Sequence, residues 1–131
     1  MIIGIGSDIV DIRRIDKTIS KFGNKFIKRC FTDTEITKSE SVNKRINSYA
    51  KRFAAKEAFV KAIGEGFRNN INYRDIDVTN DNKGKPIINI SINIKNFLKK
   101  KFNLNKYKIF LSLSDEKKHS IAYVIINKKN D

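Results

Sequence analysis

The sequence predicts an α+β fold, a single domain in which a largely antiparallel sheet packs on a long central helix. Three observations carry the prediction. From Val42 to Gly64 the chain lacks helix breakers, is rich in alanine towards its end and repeats apolar residues at helical spacing. Outside it lie several β-like runs, and the last four pair through Asn80-Asp81-Asn82-Lys83-Gly84-Lys85 and through Asp115-Glu116-Lys117-Lys118, both rich in turn residues. Third, 131 residues, 40% of them hydrophobic, suffice for one modest core and not for two. Residues 1–131 are therefore read as one domain, and the segregation of helices from hairpins gives the class.

In chain order, residues 2–7 form a strand whose alternation sets Ile3 and Ile5 on one side and Gly4, Gly6 and Asp8 on the other. Glycines on one face admit a neighbouring backbone or a ligand at close range. Asp8 has two readings: a carboxylate projecting towards that open face, or the N-cap of the helix that follows. From Asp11 the pattern is helical, with Ile12, Ile15, Ile19 and Phe22 as the inner stripe and Arg13, Arg14, Lys17 and Lys21 outside. Gly23 and Asn24 interrupt it, residues 25–31 form a short second helix, and Thr32-Asp33-Thr34-Glu35 is a capping box for a third. Past Gly64 and Gly66 come a strand over 75–79, its return over 86–92, and a short helix marked by Ile94, Phe97, Leu98 and Phe102. Strands over 108–114 and 120–126 close the chain; the last is apolar on both faces, which predicts cover on both.

At about 100° per residue, Ile46, Ala50, Phe53, Val60 and Gly64 share one stripe of the central helix, and Glu57 falls in its middle. Ala55, Ala58, Phe59 and Ala62 make the opposite side apolar, so this end should be buried on most faces. A buried carboxylate is costly unless a cation meets it. Lys61, one turn on, either forms an ordinary i,i+4 pair with Glu57 or belongs with it to a site. Asp8 favours the site. Two interior carboxylates on elements that pack together raise one another's pKa unless a cation intervenes. A hard divalent ion such as Mg²⁺ takes oxygen ligands, keeps several waters and is completed by substrate phosphates. Arg52, Lys61 and Lys85 are the candidates to hold such phosphates.

The formal charge of +14 points to an anionic partner: nucleic acid, a phosphate-rich ligand, an acidic protein or a membrane surface. The abundance of Lys, Ile and Asn together discounts that signal, because an AT-biased genome supplies all three. Cys30 is the sole cysteine, which excludes an internal disulfide framework, fits a reducing, cytoplasmic setting and reads as a packed hydrophobe. The apolar start is too short, and too soon followed by Asp8 and Asp11, to be expected as a signal peptide, and no apolar run is long enough to span a bilayer. Without a Cys/His cluster zinc is not expected, and His119, the only histidine, is read as a surface residue near a turn. Gly4-x-Gly6 lacks the third glycine of a dinucleotide fingerprint, and there is no Walker A sequence.

Gly4-Ile5-Gly6-Ser7-Asp8, Arg14-Ile15, Phe31-Thr32-x-x-Glu35 and Arg52-Phe53-Ala54-Ala55-Lys56-Glu57-Ala58-x-x-Lys61-Ala62-x-Gly64-x-Gly66 occur in that order. Gly84-Lys85-Pro86 and Ser112-Leu113-Ser114 follow. Together, over nearly the whole chain, they resemble the small bacterial holo-acyl-carrier-protein synthase type of 4′-phosphopantetheinyl transferase. The resemblance implies that fold and a transfer of the phosphopantetheine arm of coenzyme A to a serine of apo acyl carrier protein, releasing adenosine 3′,5′-bisphosphate. It implies Mg²⁺ on Asp8 and Glu57, with Lys61 near the pyrophosphate and Glu57 and Lys61 as the catalytic pair. It also implies a homotrimer with active sites between subunits. The serine proton could go to Glu57, to Lys61 or to a water on the ion. One departure stands out: the family commonly has histidine after Ser-x-Ser, near coenzyme A, where this chain has Asp115.

Arg13, Arg14, Lys17 and Lys21, beside the Asp8 strand, are the expected docking face for an acidic carrier. The alternative reading is a basic nucleic-acid-binding module without catalysis. Against it, the basic residues are spread along the whole chain, no nucleic-acid motif appears, and two buried carboxylates would be out of place. A non-catalytic adaptor for an acidic protein would account for the basic helix and leave Glu57 unexplained. Neither a nucleic acid nor a membrane is expected as partner.

Overall fold

The strand β1 (Ile2–Asp11) and the helix α4 (Arg45–Ala62) approach backbone to backbone, and the two strand glycines permit it. In the computed structural model, which describes residues 1–68 and 70–130, a Cβ on Gly4 would lie 1.8 Å from the carbonyl oxygen of Ala62, and one on Gly6 equally close to that of Ala58. Of the two uses open to a glycine face, close approach of a neighbouring backbone is therefore realised. β1 pairs antiparallel with β5 (His119–Lys128), which pairs antiparallel with β4 (Tyr107–Asp115), in the order β1-β5-β4. A second, two-stranded sheet is the hairpin of β2 (Ile76–Asn80) and β3 (Pro86–Ile90). The antiparallel prediction holds, divided between two sheets.

Around α4 sit α1 (Ile12–Phe22), α2 (Asn24–Cys30), α3 (Asp33–Glu40) and, after β3, α5 (Ile92–Phe102). α3 carries the predicted capping box: Thr32 accepts from the amide of Glu35, and Glu35 accepts from the amide of Thr32. α4 begins at Arg45 rather than at Val42. The chain has to reverse after α3 so that the Ser39 and Ser48 hydroxyls meet at 2.7 Å and Glu40 takes both Arg45 and Tyr49. Ala55, Ala58, Phe59 and Ala62 are all buried, as expected of a helix packed on most sides.

Several expectations are corrected. Asp11, not Asp8, caps α1, accepting from the amide of Arg13, because β1 runs on through Asp8. Phe22 leaves the inner stripe and is 53% exposed at the last residue of α1, with the Lys21 ammonium 5.2 Å over its ring. The return strand stops at Ile90, since Ser91 caps α5 by accepting from the amide of Ile94. Most consequential is β5. Its Ser120, Ala122, Val124 and Ile126 are buried, while Tyr123 on the other face is 54% exposed. The register sets Ile5, Ile125 and Phe110 in one row across that outer face, Ser7, Tyr123 and Ser112 in the next, and Ile9 with Ile121 in a third. Ile5 is 64% and Ile9 61% exposed. Among the described residues only one face of the sheet is covered.

Candidate active site

The glycine face of β1 carries Asp8 towards α4, and Lys61 crosses to meet it. Its Nζ donates to Asp8 Oδ1 at 3.1 Å and to the Ser7 carbonyl oxygen at 3.0 Å. The ordinary i,i+4 reading of Glu57 with Lys61 is thus displaced by a contact between elements. Glu57 lies one turn earlier on the same face of α4, half-buried rather than sealed in. What meets its carboxylate is a hydroxyl: Tyr73 donates to Oε1 at 2.7 Å. The Tyr73 ring is stacked on Phe67, with centroids 3.6 Å apart, and more loosely on Phe53 at 5.5 Å. Burial, and then the bond to Glu57, push the Tyr73 phenol well above its ordinary pKa.

The fully buried acid–base pair is one residue away and was not legible in the sequence. Lys56 Nζ contacts Glu35 Oε1 at 2.6 Å, with both side chains wholly enclosed. The same ammonium donates to the carbonyl oxygens of Tyr73 at 2.9 Å and Ile76 at 2.8 Å, while Glu35 also accepts from the amides of Thr32 and Val78. Burial pushes the Glu35 carboxyl up and the Lys56 ammonium down, and each partner's charge opposes the other's shift. The single available signal was the position of Lys56 between Phe53 and Phe59 on a helix buried nearly all round.

Earlier along α4, lined by its Ser48, Lys51 and Arg52, lies a cleft of about 780 Å³, to whose lining Asp8, Glu57 and Lys61 do not contribute. Its walls are basic: Lys38, Lys44, Lys51, Arg52 and Lys117 line it. Of these the sequence reading named Arg52 alone. Arg52 is buried, and its Nη1 donates to the Ser48 hydroxyl at 2.7 Å and carbonyl at 3.1 Å. Its Nε has no partner among the described residues. Burial pushes its guanidinium down. Lys85 is exposed in the β2–β3 turn, next to Pro86 of the cleft wall. Asp115 also lines the cleft, paired with Lys51 at 2.9 Å and accepting from the Ser120 hydroxyl at 2.9 Å. The anion at this position therefore comes with its own cation.

On α1, Arg13 folds back on Asp11 with two hydrogen bonds of 3.0 and 2.8 Å, and holds that carboxyl at about 2. Arg14, Lys17 and Lys21 are exposed. Between α1 and α2 a shallow groove is lined by Thr18, Phe22, Lys25, Phe26 and Arg29. Cys30 is buried and its thiol is pushed up to about 11 by that burial, as fits a packing role. His119 lies at the start of β5, half-buried, its Nδ1 2.7 Å from Glu116. Among the described residues no group of three or more His, Cys, Asp or Glu side chains could hold a metal ion. Asp8 and Glu57 supply two carboxylates, hard oxygen donors too few for a closed cage. That suits an ion whose remaining positions go to water and substrate phosphate.

Residues 4–124 match the model of the 4′-phosphopantetheinyl transferase superfamily. The chain is 50% identical, over 128 residues and 98% of both sequences, to holo-[acyl-carrier-protein] synthase of Pelagibacter ubique. It superposes on the crystal structure of the Neisseria meningitidis holo-[acyl-carrier-protein] synthase with a TM-score of 0.89 at 38% identity, covering 98% of this chain and 100% of that one. The Helicobacter pylori holo-[acyl-carrier-protein] synthase in complex with coenzyme A gives 0.81 at 31% identity, over 94% and 99% of the two chains.

Proposed function

The chain belongs to the 4′-phosphopantetheinyl transferase superfamily, and from that premise we propose that Asp8, Glu57 and Lys61 form its reaction centre. The activity is transfer of the 4′-phosphopantetheine arm of coenzyme A to a serine of apo acyl carrier protein, leaving adenosine 3′,5′-bisphosphate. The nucleic-acid-binding alternative receives no support; the +14 charge suits an anionic substrate and an acidic carrier. The observation that carries the assignment of the centre is the reach of Lys61 across to Asp8, one turn beyond Glu57.

Asp8 and Glu57 would hold Mg²⁺, which when bound offsets charge on the pyrophosphate oxygens. The carrier serine gives up its hydroxyl proton to a base at this centre and attacks the β-phosphorus, the bond from that phosphorus to the bridging oxygen breaks, and the adenosine bisphosphate leaves with the electron pair. Alignment and charge neutralisation supply most of the rate. Lys61, about half-exposed, can turn from Asp8 to a pyrophosphate oxygen without leaving its helix face. Glu57 keeps for this centre the oxygen that Tyr73 does not occupy. We assign the basic cleft to the adenosine bisphosphate end of coenzyme A, with Arg52 braced on Ser48 and Lys85 at the rim. The exposed α1 residues Arg14, Lys17 and Lys21, with Arg13 behind them, are our docking face for the carrier, and the neighbouring Phe22–Phe26 groove gives it an apolar floor.

The uncovered sheet face, with Ile5, Ile9, Phe110 and Tyr123 exposed, is large and apolar enough to call for a partner. We assign it to further copies of this chain, in a homotrimer with active sites between subunits. No helix among the described residues is long and apolar enough to cross a membrane. A cytoplasmic setting fits the lone, buried Cys30, and we take residues 1–131 as one transferase domain. The test is mass spectrometry of apo acyl carrier protein after incubation with this protein, coenzyme A and Mg²⁺. A mass gain of one phosphopantetheine arm that depends on Asp8 and Glu57 is expected. A gain that persists in Asp8→Ala and Glu57→Ala would overturn the assignment of the centre.

A further inference from the structure

Tyr73 lies in a single 3-10 turn (Tyr73–Asp75) that leads into β2, and two consecutive residues of α4 grip it at opposite ends. Glu57 takes the phenolic hydroxyl at 2.7 Å, and Lys56 takes the backbone carbonyl at 2.9 Å. Lys56 is fixed in turn by the enclosed contact with Glu35 at 2.6 Å and by the Ile76 carbonyl. Glu35 is locked by the amides of Thr32 and Val78. The phenol ring has no freedom to swing, because Phe67 stacks on it at 3.6 Å and Phe53 lies beyond at 5.5 Å. Stacking alone would be served by phenylalanine; the hydroxyl is used on Glu57.

We propose that Tyr73 is a positioning residue for the transfer centre, its hydroxyl setting the orientation of the Glu57 carboxylate while the Lys56–Glu35 pair holds Tyr73 in register. The proposal rests on the reading of Glu57 as a metal ligand. A glutamate on an open helix face samples several rotamers, and ordering it on binding costs affinity. One oxygen fixed by a half-buried donor held between stacked rings leaves the other aimed, which is the part that hydrogen-bond partners of ligating carboxylates play.

The experiment measures Mn²⁺ affinity from the free-ion EPR signal, with coenzyme A present and no carrier. It compares the wild type, Tyr73→Phe, Glu57→Gln and the double variant, and records the melting of each without metal. Tyr73→Phe is expected to weaken Mn²⁺ binding roughly tenfold, and to raise by a similar factor the Mg²⁺ needed for half-maximal transfer. The losses in the double variant should fall well short of additive, because both act through one carboxylate. Wild-type Mn²⁺ affinity in Tyr73→Phe alongside a loss in Glu57→Gln would overturn the positioning role and leave the Glu57 reading intact. Wild-type affinity in both would overturn the Glu57 reading itself, and the proposal with it. Should Tyr73→Phe melt lower, the cycle still decides: additive losses overturn the proposal.

Discussion

Replacing Lys56 by methionine isolates the largest electrostatic commitment in the fold. Methionine matches the length of the aliphatic stem, so the change is confined to the ammonium and its place 5.4 Å over the Phe31 ring. The substitution leaves Glu35 enclosed without its cation and strips the carbonyls of Tyr73 and Ile76 of a donor. Breaking a buried pair from one side costs about 3–5 kcal/mol. At roughly 4 °C per kcal/mol for a chain of this size, melting should fall by about 12–20 °C. Glu35→Gln supplies the sign test. In the wild type it should destabilise, since it weakens the contact with Lys56; in Lys56→Met it should stabilise, since it removes the uncompensated carboxylate. The penalty of Lys56→Met should also depend on pH. Burial holds the orphaned Glu35 carboxyl above its unfolded value, so protonated Glu35 is tolerated and the loss grows as pH rises through the folded pKa. Thermal melts of the four proteins across pH 5–8 at about 1 mg/ml check this. A loss below about 1 kcal/mol, or a Glu35→Gln effect of the same sign in both backgrounds, would refute the reasoning.

Four further outcomes are expected. Asp8→Ala should abolish transfer in the carrier mass assay while metal-free melting stays level or rises, since its removal relieves repulsion with Glu57 and the Lys61 partner is about half-exposed; near wild-type turnover at moderate Mg²⁺ would contradict it. Asp115→His removes the anion paired with Lys51 and frees that ammonium for the cleft, so the KM for coenzyme A should fall while the carrier KM barely moves. Arg14→Glu should raise the carrier KM sharply and flatten its salt dependence, since exposed charges are screened within about 8–10 Å; Lys99→Glu on α5 is the charge-matched control, and equal losses would refute the docking face. Asp11, depressed from 3.8 to about 2 by Arg13, contributes stability that is present above its unfolded value and lost as pH falls towards 2; an NMR titration of Arg13→Gln should return its carboxyl towards 3.8.

The sequence by itself determined what is local. Alternating glycines marked β1 as a strand of close approach, Thr32 and Glu35 marked the start of α3, and the Ala-rich stretch ending at Gly64 marked α4, because caps, turns and periodicity involve neighbours a few residues apart. Asp8 and Glu57 stood out for the same reason, as carboxylates breaking apolar patterns. Tertiary structure decided which partners those groups took. Lys61 bonds Asp8 rather than Glu57 because Gly4 and Gly6 let β1 settle onto the α4 backbone, a packing that helical spacing cannot report. Lys56 reads as one more lysine until the chain folds Glu35 and the residues at 73–76 around it, contacts spanning 17 to 21 positions in sequence. The basic cleft gathers Lys38, Lys44, Lys51 and Lys117 from α3, the turn after it, α4 and the β4–β5 turn, and nothing in their spacing announced it. The last strand was read as covered on both faces. Apolar patterning reports that a face must be buried, but not whether the same chain or another copy does the burying.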